Sequence, residues 1–336
     1  MSDSPSRPHD GNPHQAMGPG REFDTIRGFM SRWGALAVGI GDDAALLHAP
    51  PGRTLVASTD ACVEGAHFRE GWLSPAEIGA RATAAALSDL AAMGARADAI
   101  LIAFVVPDTW RARLDEVADG IAQALAPTGA RIAGGNISRG SAFSITTTVI
   151  GSAPQVIPRS GARPGDVLLV TGLLGGPGGA LRAWEEGRTP TVWARERFAR
   201  PVPRLEAGQI MANAGVHAML DISDGLAADA RHMAAASNVV LTIDPALLPC
   251  GPGVSPADAL VSGEEYELLV ACPPEIVTGM LTEIRQRFAL PVTIVGKVEA
   301  GPGSVQLSAD GMASPSERFT DARRVEFGAG HDHFSG

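Results

Sequence analysis

Five aspartates stand beside glycines, hydroxyls or small apolar residues along this sequence. They are Asp43 in GIGDDAALL (39–47), Asp60 after Ser58-Thr59, Asp89 in LSDLAAMGA (87–95), and Asp221 and Asp224 in DISDGL (221–226). Carboxylates are the preferred ligands of hard cations. Adjacent Asp42 and Asp43 cannot share one face of a regular strand, and two like charges are costly unless solvent or a cation offsets them. Any one segment also reads as a solvated turn or a helix cap; their recurrence is what points to bound ions. Ser58 and Thr59 add hydroxyl oxygens at an expected strand end, where they suit a metal, a phosphate or a simple turn cap. If Ser223 or Asp224 caps the helix that follows, its amino end favours phosphate. His67, Asn136, Arg139, Arg159, Arg163 and the pair Glu264-Glu265 are further polar candidates, each with a structural or surface alternative. His331, Asp332 and His333 resemble a metal cluster, but their spacing fixes no third ligand.

The elements that must carry these residues alternate between strands and helices. Phe23, Ile26, Phe29 and Met30 have helical spacing and predict an amphipathic helix ending near Gly34. A strand over 55–57 leads to Ser58-Thr59-Asp60. Ser74, Pro75 and Glu77 predict a capped helix start, with an Ala-rich body running to Gly94. A buried strand over 99–107, an amphipathic helix closed by Pro127 and Gly129, a short strand over 130–133 with a tight turn at Gly134-Gly135, and a strand over 142–153 complete the first half. Pro/Gly-rich sequence near 154–160 marks a boundary. In the second half, LLGGPGGA (173–180) is only loosely like a phosphate loop, lacking a Gly-Lys-Ser/Thr ending, and reads equally as a flexible turn. Residues 188–204 read as Arg-rich and proline-interrupted. Strands near 167–170, 220–222, 239–244 and 291–298 alternate with helices.

Composition bounds the function. A chain of 336 residues buries a substantial core and suits two domains. Its formal charge of -10 argues against a general nucleic-acid surface but permits a small phosphorylated ligand. Cys62, Cys250 and Cys272 have neither zinc nor disulfide spacing, so a reducing, cytoplasmic setting is expected. No apolar run is long enough to span a bilayer, and the first 20 residues read as a disordered polar tail without a signal-peptide core.

The ordered set REFDTI (21–26), GIGDDAALL, STDACVEGAHF (58–68), LSDLAAMGA, RSGARPGD (159–166), DISDGL, SGEEYELL (262–269) and GHDHF (330–334) resembles the thiamine-monophosphate kinase family, within the aminoimidazole ribonucleotide synthetase-like superfamily. The resemblance implies a two-domain α/β fold whose first-domain sheets pair in a homodimer. It places an ATP/magnesium-binding and dimerisation domain at 21–155, a C-terminal α/β domain at 156–330, and a tail at 331–336 with a substrate contact. It implies several Mg²⁺ ions held by Asp43, Ser58, Thr59, Asp60, Asp89, Asn136, Asp221 and Asp224. Ser223, Arg159 and Asn136 would meet ATP, and His67, Glu264 and His331 would meet thiamine monophosphate. Asn136 stands in GGNIS where the family commonly carries a metal-binding Asp, and His331 stands where it carries an aromatic residue. The implied reaction converts thiamine monophosphate to thiamine diphosphate at the expense of ATP. The alternatives are a related synthetase using another acceptor and a nucleotide-binding homologue without catalysis.

Overall fold

Four strands of the first half form one sheet and seven strands of the second half form another, in a computed structural model that describes residues 14, 21–40, 45, 47, 50–308 and 322–324. The expected GIGDD turn, most of the N-terminal tail and the terminal GHDHF segment lie outside the described residues.

Helix α1 (Arg21–Trp33) comes first, followed by β1 (Thr54–Val63), α2 (Pro75–Ala92), β2 (Arg96–Val106), α3 (Leu114–Leu125), β3 (Arg131–Arg139) and β4 (Ser144–Ala153). The sheet order is β1-β4-β2-β3, with β2 and β3 parallel and the other pairs antiparallel. β1 is much longer than the expected 55–57, because all ten of its residues pair with β4, from Thr54 opposite Ala153 to Val63 opposite Ser144. Asp60 therefore sits inside a strand, opposite Thr147, rather than beyond its end. The Gly134-Gly135 pair does not turn the chain either. Both lie within β3, where the register against β2 shifts between Ile100 and Leu101, and a Cβ on Gly135 would collide with the Ile102 carbonyl.

One face of this sheet is covered by helices. α2 begins with the capping box read from sequence: the Glu77 amide donates to Ser74 Oγ at 3.3 Å, and the Ser74 amide donates to Glu77 Oε2 at 2.9 Å. α2 and α3 approach so closely that a Cβ on Gly79 would meet the Val117 carbonyl, and one on Gly120 the Ala76 carbonyl. The Ala-rich sequence of α2 permits that approach. On the other face Leu55, Ala57, Thr59 and Ala61 of β1 are exposed, and no helix among the described residues covers them.

The second sheet has the order β11-β10-β7-β9-β5-β8-β6, built from β5 (Val167–Thr171), β6 (Ala218–Asp221), β7 (Val239–Ile243), β8 (Leu268–Cys272), β9 (Val292–Ala300), β10 (Ser304–Ser308) and β11 (Ala322–Arg324). Between them run α4 (Gly176–Glu185), α5 (Val192–Ala199), α6 (Leu205–Ala214), α7 (Leu226–Ser237), α8 (Pro256–Val261) and α9 (Pro274–Phe288). α5 arises within the Arg-rich, proline-interrupted stretch, and α8 follows a proline-rich segment. Thr191 and Ser255 cap them, accepting from the Ala194 and Asp258 amides at 3.2 and 3.1 Å.

Two cores result. One lies on a single face of the second sheet, among Leu226, Ala230, Met233 and Leu260. The other runs without interruption from the first sheet through α2 to α6, α9 and the opposite face of the second sheet. Gly208 makes that junction possible, since a Cβ there would collide with the Ala91 carbonyl. The two sheets are therefore joined by packed apolar surface, and the functional residues of α2 are held against β6.

Candidate active site

Asp60, Asp89, Asp221 and Asp224 line a single cleft of about 660 Å³ between the two sheets. β1 delivers Asp60, α2 delivers Asp89, and the end of β6 with the turn after it delivers Asp221 and Asp224. Ser58, two residues before Asp60 on the same strand face, donates to Asp89 Oδ2 at 2.5 Å. Thr59 points to the opposite face, where its hydroxyl meets Thr148 Oγ1 at 3.0 Å. The strand alternation thus separates two side chains that the sequence pattern groups together.

Burial and neighbouring charges shift the carboxylates of this cleft. Burial pushes the Asp60 carboxyl up to about 6, reinforced by the charges of Asp89 and Glu264. Burial pushes Asp221 up to about 7, with Asp89 and Asp60 adding to it. Asp89 is raised by burial too, while its bond from Ser58 and the charge of Arg159 pull the other way. Three carboxylates crowded from two domains, offering only oxygen, fit divalent hard cations by donor chemistry. Burial raises all three, and the repulsion added to it at Asp60 and Asp221 is one a cation would relieve.

The DISDG turn is built differently from a simple Ser or Asp cap. Gly225 occupies the cap position with φ 109°, and no side chain caps there. Asp229, from the first turn of α7, reaches back and its Oδ2 accepts from the amides of Ser223 and Asp224 at 3.0 Å each. The Ser223 carbonyl accepts the Glu264 amide at 2.6 Å, and the Ile222 carbonyl the Tyr266 amide at 2.9 Å. The 221–224 and 262–267 segments are thereby fastened together. Glu264 and Tyr266 take φ values of 64° and 53°, sparsely populated for residues with side chains.

Glu264 lines the cleft with its carboxylate already engaged. It pairs with the guanidinium of Arg81, and Tyr266 Oη donates to its Oε2 at 2.7 Å. Arg81, only 2% exposed, also donates to the Phe198 carbonyl and stands 3.8 Å over the Phe198 ring. Sequence reading passed over Arg81, although Arg81, Ala85 and Asp89 follow the four-residue spacing that puts side chains on one helix face. It also passed over Trp72, which lines the cleft and stacks on Trp184 of the second domain at 4.8 Å. Arg69, Arg182 and Arg231 are further cationic side chains at the cleft wall.

His67 lies at the same cleft, its Nδ1 accepting the Val63 amide at 3.1 Å. Asn136 is not brought there. Asp60, Thr147, Ile102 and Gly135 form one row across the first sheet, so Asn136 belongs to the next row, on the opposite face and the far strand. Its Nδ2 donates to Ser138 Oγ at 2.9 Å. The glycines at 173–180 do not leave an open phosphate loop. The amino end of α4 is filled by Glu265, which accepts from the Gly175 amide at 2.6 Å, and by Ser262, which accepts from the Gly178 amide at 3.0 Å. Arg159 is exposed and acts on Asp89 by charge. Asp43 and His331 lie outside the described residues.

Comparisons with known proteins show the family and the fold. The family model for the N-terminal domain of AIR synthase related proteins matches residues 41–153, and that for their C-terminal domain matches 163–308. Thiamine-monophosphate kinase of Escherichia coli K12 is 36% identical over 296 residues, covering 83% of this chain and 89% of that protein. The Mycobacterium tuberculosis enzyme of the same name is 38% identical over 248 residues, covering 70% and 74%. The crystal structure of thiamine-monophosphate kinase from Stenotrophomonas maltophilia superposes with a TM-score of 0.76 at 32% identity, covering 89% of this chain and 99% of that one. The hydrogenase maturation protein HypE of Escherichia coli, at 20% identity and a TM-score of 0.74, shares the fold.

Proposed function

Because the chain belongs to the thiamine-monophosphate kinase family of AIR synthase related proteins, we propose that it moves the γ-phosphoryl group of ATP onto the phosphate of thiamine monophosphate, giving thiamine diphosphate and ADP. The observation that carries this reading is the convergence of Asp60, Asp89 and Asp221 from two domains on one cleft that also presents arginines. A similar solved structure, 27% identical with a TM-score of 0.69, is a complex with AMPPCP and TMP.

The acceptor phosphate needs no protein base, since its second pKa of about 6 leaves it ionised near neutrality. The difficulty is bringing two polyanions together. Magnesium, when bound, would shield that repulsion and stabilise charge developing on the transferred group. Asp60, Asp89 and Asp221 would hold the ions, with Ser58 fixing the rotamer of Asp89. Asp224, on a turn pinned by Asp229, would present a further carboxylate, and Ser223 and Arg159 would meet the nucleotide. His67 and Glu264 would face thiamine monophosphate, with Arg81 holding Glu264 in place as a positioning residue. We further propose that the enzyme acts in the cytoplasm as a homodimer formed through the uncovered face of the first sheet. Three free cysteines and the exposed Leu55, at 48%, support that reading.

The decisive experiment incubates the protein with ATP, thiamine monophosphate and Mg²⁺ and detects thiamine diphosphate directly. Product that depends on all three is expected. Absence of product from folded protein across a wide range of Mg²⁺ would overturn the proposal, and ADP release driven by a different acceptor would reassign the chain to a sister activity.

A further inference from the structure

At the edge of the cleft, α7 and the turn entering it carry a donor set of which the proposed phosphoryl transfer uses only Asp224. One ligand atom each from Asp224, Asp229 and His232 lie within 4.8 Å of one another. Asp229 and His232 are three residues apart on the helix and share a face, while Asp224 belongs to the turn entering it. Asp229 is 5% exposed, and its Oδ2 is committed to the Ser223 and Asp224 amides. Those bonds fix the orientation of the carboxylate. Ligating carboxylates are commonly oriented in this way by their outer partners.

We propose that Asp224, Asp229 and His232 bind a divalent transition ion of the Zn²⁺ or Co²⁺ type, at a site that shares Asp224 with the cleft but not Asp60, Asp89 or Asp221. An imidazole nitrogen with two carboxylate oxygens suits such ions, whereas magnesium keeps to oxygen and water in near-ideal octahedra. Bond lengths of about 2.0–2.2 Å require the three atoms to close slightly. His232 is exposed. The amino end of α7 disfavours a cation, and the two carboxylates oppose that effect. The consequence rests on the kinase reading: an ion here withdraws Asp224 from the cleft, so Zn²⁺ inhibits turnover.

The test titrates the full chain with Co²⁺ in a large excess of Mg²⁺, following visible absorption and equilibrium dialysis. The wild type should retain a Mg²⁺-resistant equivalent of Co²⁺, and Asp60→Asn should retain it too. His232→Gln should weaken that equivalent by about tenfold or more. No Mg²⁺-resistant binding, or equal binding by His232→Gln, overturns the proposal. In the kinase assay, Zn²⁺ inhibition should be relieved in His232→Gln. Should the chain prove to have no kinase activity, the Co²⁺ titration still decides the site by itself.

Discussion

Asp221 and Asp60 hold protons far more tightly than free carboxyls do, and the sign of that effect sets a testable pH dependence. Their folded pKa values, about 7 and about 6, lie above the ordinary 3.8. Between those values the folded state binds more protons than the unfolded one, so stability falls as pH rises. Metal-free protein should therefore lose melting temperature from pH 5 to pH 8, and added Mg²⁺ should raise it more at pH 8 than at pH 5. Thermal melts with and without Mg²⁺ check this; an equal Mg²⁺ effect at both pH values would contradict it. Arg81 supplies a second prediction at this scale. Arg81→Met removes the cation beside the partly buried Glu264 and should cost about 1.5–3 kcal/mol in denaturant unfolding, the range for a hydrogen bond to a charged group. Arg81→Met with Glu264→Gln should recover part of the loss.

At the scale of elements, α2 is the member on which the site depends. It carries Arg81 and Asp89 on one face, packs against α3 on another, and meets α6 through Gly208. Gly120 sets its distance from α3. Gly120→Ala gains helix propensity of about 1 kcal/mol, yet its methyl meets the Ala76 carbonyl. Overpacking of this kind costs about 1–3 kcal/mol or more, so a net loss of stability is expected from denaturant unfolding. Because the shift moves α2, the apparent Mg²⁺ requirement of the kinase assay should rise as well.

At the scale of the whole molecule, the continuous core through α2 makes the two halves one cooperative body, and the Trp72–Trp184 stack crosses the same junction. The uncovered face of the first sheet is the remaining surface of interest. Thr59 and Thr148 meet there between exposed small and apolar residues. If that face forms the dimer, Thr148→Arg should shift the protein from dimer to monomer in light scattering while leaving its circular dichroism unchanged. A dimer that persists in Thr148→Arg would place the contact elsewhere.

Much of the molecule was legible in its residues. Ser74, Pro75 and Glu77 specified the start of α2, the small residues of its body specified close packing, and Asp60, Asp89, Asp221 and Asp224 were named from sequence and share one cleft. These are local signals, carried by capping chemistry, helical period and residue type. Other features depend on partners distant in the chain. Pairing with β4 extended β1 past Asp60 and sent Ser58 and Thr59 to opposite faces. Pairing with β2 carried β3 through Gly134-Gly135 and left Asn136 on the far face. Glu265 filled the amino end of α4, closing what read as a phosphate loop, and α7 starts at Gly225 without a side-chain cap while Asp229 pins the Ser223-Asp224 turn. Sequence by itself determined which residue types were available for cation chemistry and the elements carrying them. Only the tertiary structure decided which of them meet, because strand register and helix contact are fixed by burial between segments tens of residues apart.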